Sequence, residues 1–231
     1  MTITTFYPDP NAESTSVDGQ ISVNGDVGNG SWTAKRDASA GDAAFPSLAT
    51  MTVALESSNA SGLPFRSLSR CFMLFDTSSI ADTDTVTDAT LSLYFASASN
   101  GWASLSTAQK KYHIVASTPA SNTDLVVGDF DQLGSTSYAN LDFSAITTSA
   151  YNAFVLDSAG RTAVSKTGVS KFGSRGGADL DNSPPAWESA KEILMQANSA
   201  DTSGTSTDPK LVVTHSAAGS TSIPDVRLFF Q

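Results

Sequence analysis

The sequence predicts an all-β protein: an antiparallel β-sandwich of jelly-roll-like form with one short helix and a C-terminal arm. Three observations carry that expectation. Ala89, Leu91, Leu93 and Phe95 alternate with Thr90, Ser92 and Tyr94, the period-two pattern of a strand with one buried face. Cys71-Phe72-Met73-Leu74-Phe75 is apolar throughout, so that strand is expected to be covered on both faces at the centre of the core. Short strand-like runs trade places with Gly, Pro, Asn, Asp and Ser clusters along the chain, the rhythm of a sandwich or barrel.

Taken in order, residues 3–7 read as a first strand stopped by Pro8 and Pro10, and Ile21-Ser22-Val23 as a second before the turn-rich 24–30. Trp32 to Arg36 reads as another strand, residues 37–45 as a loop of small residues, and Met51 to Leu55 as a strand by alternation. Arg70 to Asp76 and Ala89 to Phe95 are the two strongest strands. Tyr112 to Ala116 follows, then a turn cluster at 117–122 and an irregular connection at Gly128-Asp129-Phe130. Residues 157–168 break the pattern, with an Asp/Ser start, cationic residues near the end and a terminal glycine. These are helix start and stop signals. So short a helix needs tertiary support, and Ala159, Ala163 and Val164 are the expected packing face. Strands resume at 169–173, 193–197 and 210–215, the last led in by Pro209, which is tolerated because a first strand residue need not donate to the ladder.

From Ser216 to Ser222 the composition is that of a flexible linker, leading to Ile223-Pro224-Asp225-Val226-Arg227-Leu228-Phe229-Phe230-Gln231. The expected division is a sandwich over 1–215 and a linker with an apolar arm over 216–231. The arm reads either as an extra edge strand of its own domain or as a segment that docks on a neighbouring subunit. Val226, Leu228, Phe229 and Phe230 are therefore candidate contact residues.

At 231 residues, with 13 Lys plus Arg against 23 Asp plus Glu and a net charge of -10, the chain suits one large domain. Its field disfavours nucleic acid and anionic membranes. The lone Cys71 excludes an intrachain disulfide and reads as a small buried hydrophobe. The N-terminus has neither a basic leader nor an apolar run of signal-peptide length, and no segment approaches a membrane span, so synthesis as a soluble cytoplasmic chain is expected. A composition rich in Ser, Thr, Ala, Gly and Asp with only 16% charged residues is that of extracellular and virion-surface β proteins. Assembly into a particle reconciles the two.

Chemistry is sparse. His113 and His215 both fall in predicted strands and in no catalytic motif, and there is no phosphate loop and no nucleophile elbow. Catalytic, cofactor-binding and metal residues are accordingly read as none. Calcium is the weakest-excluded ligand, because Asp82-Thr83-Asp84 with Asp88, Asp129-Phe130-Asp131 with Gly134, and Asp179-Leu180-Asp181-Asn182 place oxygens in loops. An EF-hand-type loop ends on a bidentate glutamate, but that position is Leu93 counted from Asp82 and Asn140 counted from Asp129. Trp102 and Trp187 sit in loop contexts, either as lids on the core or as platforms for a partner or glycan.

The Arg-led apolar strand ending in Phe75-Asp76, the Ser79-Ile80 loop and the strand Thr90-Leu91-Ser92-Leu93-Tyr94 resemble the DNRLRE-type β-sandwich modules. Further blocks are similar to a subgroup associated with bacteriophages and uncultured microbes: 117–123, 129–136, 151–156, 167–175, Pro185-Ala186-Trp187, Gly204-Thr205 and 208–214. The resemblance covers most of residues 3–215 and implies no catalytic residues. It implies a non-enzymatic virion protein, a head decoration or tail/fibre component acting through contacts with capsid or tail proteins, located in the virion and homo-oligomeric, a trimer by analogy. The alternative it leaves open is a carbohydrate-binding module contacting host or environmental glycans.

Overall fold

The structure, a computed structural model, describes residues 1–24 and 30–217. Twelve strands carry the described fold: β1 (Thr2–Phe6), β2 (Asp18–Val23), β3 (Ala43–Phe45), β4 (Thr50–Ser57), β5 (Phe65–Asp76), β6 (Asp84–Asn100), β7 (Lys111–Ala116), β8 (Ala139–Asp142), β9 (Ala150–Val155), β10 (Val169–Gly176), β11 (Glu192–Asn198) and β12 (Lys210–Ala217). Three helices of four or five residues accompany them: α1 (Trp32–Arg36), α2 (Ser158–Thr162) and α3 (Gly177–Leu180). The pairings are antiparallel, and the main path runs β1-β12-β6-β11-β4-β5-β10-β7-β8, with β2 on β5, β3 on β2 and β9 on β6. This is a curled, sandwich-like all-β fold.

Two long strands set the geometry. β5 pairs with β4 over Phe65–Ser69 and with β10 over Cys71–Asp76, while β2 runs along its other edge from Leu68 to Met73. Because β2 overlaps both, β4 and β10 share one edge of β5 and part company at Arg70. β6 repeats the device, handing one edge from β12 to β11 while β9 lies on the other. Strands that change partner in this way curl one sheet into two facing layers. Across the interior Tyr112 of β7 meets Phe95 of β6 at 5.3 Å and Phe154 of β9 at 5.5 Å, though β7 pairs with neither strand. Cys71 through Phe75 are wholly buried, as their unbroken apolar run predicts, each large side chain contributing about 1.5–3 kcal/mol by leaving water.

Three expectations need correction. Trp32 to Arg36 is a helix, not a strand: the Ser31 side chain caps it by accepting from the Ala34 N–H at 3.2 Å. The turn buries Trp32 and Lys35, three apart, on one face. The single expected helix is one of three, and it is shorter than 157–168. Asp157 caps it through the Gly160 N–H at 2.8 Å, but the residue pressed inward is Gly160 rather than Ala159, which is exposed. A Cβ at Gly160 would stand 2.9 Å from Tyr138 Cβ, so only glycine lets the helix lie this close. The last strand also runs on through Ala217, taking Ser216 and Ala217 out of the expected linker. The rest of the arm, including Val226, Leu228, Phe229 and Phe230, lies outside the described residues, as do 25–29 of the predicted turn.

Candidate functional site

Where β4 and β10 separate, Arg70 fills the fork. Its Nε and Nη2 donate to Asp179 Oδ2 and Oδ1 at 2.8 and 2.7 Å, Nη1 to the Phe130 carbonyl at 2.9 Å and Nη2 to the Arg36 carbonyl at 2.8 Å. Its guanidinium lies 4.1 Å from the Phe130 ring centroid. Arg175, near the end of β10 and four residues before Asp179, adds a second two-pronged pair at 2.9 and 2.6 Å, and Arg36 Nε donates to the Asp179 carbonyl at 2.8 Å. Burial alone would raise Asp179, but the two guanidiniums outweigh it and hold the carboxyl at about 2. α3 presents Asp179 because Gly177 lies on the backbone of Ala108, where a Cβ would be 2.1 Å from a carbonyl oxygen. A cleft of about 180 Å3 opens beside the cluster, between Arg36, Asp37 and Asp131. Its two buried arginines have their donors engaged inward, so the cluster is a clamp that ties β5, β10, α1 and α3 together.

A second constellation joins three strands at the sheet edge. His215 on β12 sets Nδ1 2.6 Å from Asp84 Oδ2 and Nε2 3.1 Å from Thr4 Oγ1, the hydroxyl–imidazole–carboxylate order of a nucleophilic triad. The group serves as a cross-strand network tying β1, β12 and β6.

The third is acidic. Asp18, 1% exposed, accepts only the Ala200 N–H, at 3.1 Å to Oδ2 and 3.3 Å to Oδ1. Asp201 uses Oδ1 on the Asn11 N–H at 2.7 Å. Asp201 Oδ2, Asp208 Oδ1 and Ser16 Oγ have no hydrogen-bond partner among the described residues. Burial, then repulsion from Asp201, pushes Asp208 up to about 6. Burial, reinforced by Asp201, Asp208 and Glu13 against one N–H, raises Asp18 well above its usual range.

Three of the loop carboxylates considered for calcium have other partners. Asp129 accepts the Ala120 and Val126 N–H groups at 2.9 and 3.0 Å, Asp84 holds His215 and Asp179 holds two arginines. No three His, Cys, Asp or Glu side chains among the described residues stand where they could hold a metal ion. Cys71 is buried, its thiol pushed up to about 12 by burial. No helix among them is long and apolar enough to cross a membrane.

Of the two tryptophans offered as contacts, Trp102 is fully buried, stacked near Phe65 and donating its indole N–H to the Ala186 carbonyl at 2.9 Å. It has no surface for a partner or glycan, and that expectation is corrected. Trp187 is 37% exposed, and its N–H is tied to the Ser58 carbonyl at 3.2 Å. A polar cleft of about 330 Å3 is lined by Glu56, Asn59, Arg66, Lys191 and Glu192 around Ser57 and Ser58, and Trp187 is not part of its lining. The cleft walls are stapled from within: Ser57 Oγ accepts the Lys191 N–H at 2.6 Å and donates to the Glu188 carbonyl at 2.6 Å, and Ser58 Oγ bonds the loop at Ala60 and Leu63.

Fold and sites together define an all-β, sandwich-like protein whose charged and polar constellations mostly close on themselves. No family model matches the chain, and no curated protein matches it significantly.

Proposed function

We propose that this chain is a non-enzymatic structural protein of a bacteriophage virion, a head decoration or tail/fibre component that acts through protein–protein contacts and assembles as a homo-oligomer. The observation that carries the reading is the open outer edge of β1. It pairs only with β12 among the described strands, and its Ile3 and the preceding Met1 are 69% and 92% exposed. An unpaired strand edge with apolar side chains is a surface on which another chain can add. The resemblance of most of residues 3–215 to DNRLRE-type modules, in a subgroup associated with bacteriophages and uncultured microbes, and the apolar sequence at Val226, Leu228, Phe229 and Phe230 support the same reading, as does the inward engagement of the charged clusters.

Quantitative mass spectrometry of purified particles tests it, with copies expressed against the major capsid protein. Hundreds of copies indicate a decoration, a few to a few dozen a fibre; absence from particles overturns the reading. Deleting Ile223 to Gln231 is expected to leave the sandwich folded and weaken assembly, checked by circular dichroism and by incorporation into particles.

A second reading is a carbohydrate-binding module, for which the 37% exposed Trp187 is the one tryptophan among the described residues with surface to offer a sugar ring.

A further inference from the structure

We propose that two copies of this chain join by pairing β1 with β1 about a two-fold axis, an inference that rests on the virion reading and names the partner of its open edge. β1 is paired with β12 on one side only among the described strands, so alternate N–H and C=O groups along Thr2–Phe6 face outward. Sheet edges that stay unpaired carry devices against addition, such as a charge, a proline or very short length. The other edges have them. β3 and β8 are three and four residues long, and β8 ends in Asp142, 3.3 Å from Lys111. β9 turns its Asn152 side chain on the Thr147 N–H and carbonyl of the adjoining loop, each at 2.8 Å. β1 has five residues and no Asp, Glu, Lys, Arg or Pro among them.

Register and charge select a second copy as the occupant. Side chains alternate between the faces of a strand: Phe6, 8% exposed, and Thr4, whose hydroxyl is 3.1 Å from the His215 ring, lie on the inner face, while Ile3 and Thr5 lie exposed on the outer one. Antiparallel self-pairing centred on Thr4 sets Thr4 against Thr4, Ile3 against Thr5 and Thr2 against Phe6 of the other copy. Inner face then meets inner and outer meets outer, and all five residues have a partner; a slip of one residue would set the faces against each other. The two-fold axis makes the contact isologous and closes it at two copies. A chain of net charge -10 repels its own copies, and a strand with no charged side chain is where two of them approach with least opposition. Ile3, 69% exposed, loses apolar surface there to Thr5 and, diagonally, to Ile3 of the other copy.

Charge exchange at position 3 provides the test, because the two Ile3 residues stand diagonally across the axis, about 7–8 Å apart. Sedimentation equilibrium of the full chain over about 1 to 300 µM is expected to show monomer and dimer, with the dimer favoured as added salt screens the net charge. Ile3→Lys and Ile3→Glu are each expected to weaken dimerisation about tenfold, and an equimolar mixture of the two to recover it as a mixed dimer, with thermal melts confirming that both fold. A dimer untouched by either substitution, or a trimer, overturns the pairing. Loss in both variants without recovery in the mixture also overturns it and shows that the β1 edge takes a different segment, such as Ile223 to Gln231 of a neighbour. A chain that stays monomeric overturns it as well, while the virion reading is decided separately by the copies found in purified particles.

Discussion

Asp179 and Asp208 are each 2% exposed, yet their surroundings drive them in opposite directions. Asp179 sits between Arg70 and Arg175, and the guanidiniums hold it at about 2. Asp208 has Asp201 for a neighbour and one oxygen with no partner among the described residues, and it is pushed up to about 6. Burial is common to both; the cation is not. Inside a fold a carboxylate is a structural tie only where a fork of donors meets it. Without one, the same group is a weak point that holds its proton to higher pH and costs stability once ionised.

The largest expected effect follows at the paired end. Arg70→Ala removes both bonds to Asp179 and strands the Phe130 and Arg36 carbonyls, and should cost about 3–5 kcal/mol in urea unfolding. A loss under about 1 kcal/mol would break the contrast, showing that Arg175 alone suffices.

A smaller effect, of opposite sign, is expected at the acidic end. Folded Asp208 keeps its proton to about pH 6, above the unfolded value near 4. The folded state then binds more protons between those values, so stability contributed by this group falls as pH rises from about 4 to about 6. Asp208→Asn should therefore stabilise the protein at pH 7.5 by no more than about 1 kcal/mol, with no gain at pH 4. Reading the difference between the two proteins is essential, because His113, lowered by burial, favours folding as pH rises toward about 6.5 and opposes the trend. A gain of equal size at both pH values would remove the charge argument. Asp179 works the other way, its stabilisation present above about 4 and lost as pH falls through about 2.

The smallest effect reaches the paired end indirectly. Ser31→Ala removes the cap of α1, whose last residue, Arg36, offers its carbonyl to Arg70. A loss of about 0.5–1 kcal/mol by denaturant titration is expected, and no change would mean that the clamp, not the cap, sets the position of α1.

How much of this was legible in the sequence follows from the range of the signals. The run at 71–75 and the alternation at 89–95 announce strands because period and burial are local properties, and both are where they were expected. Trp32 to Arg36 misleads because Trp and Thr favour strands, while the Ser31 cap and the three-residue spacing of Trp32 and Lys35 decide for a helix. Arg175 and Asp179 stand four apart, but α3 is only four residues long and Arg70 joins them from 109 positions away, a separation that leaves no pattern. Thr4, His215 and Asp84 are likewise brought together only by strand order, across 211 and 131 positions. Trp102 and Trp187 look alike in sequence, both in Gly- or Pro-flanked loops. Only distant partners separate them: Trp102 packs near Phe65 and donates to the Ala186 carbonyl, while Trp187 bonds the Ser58 carbonyl with its ring 37% exposed.

The contrast between the two buried carboxylates is tested most directly by carbon-13 NMR of the aspartate carboxyls across a pH titration of the intact protein. The account predicts Asp208 changing charge near pH 6 and Asp179 near pH 2. Both titrating together near the ordinary carboxylate value of about 4 would contradict it.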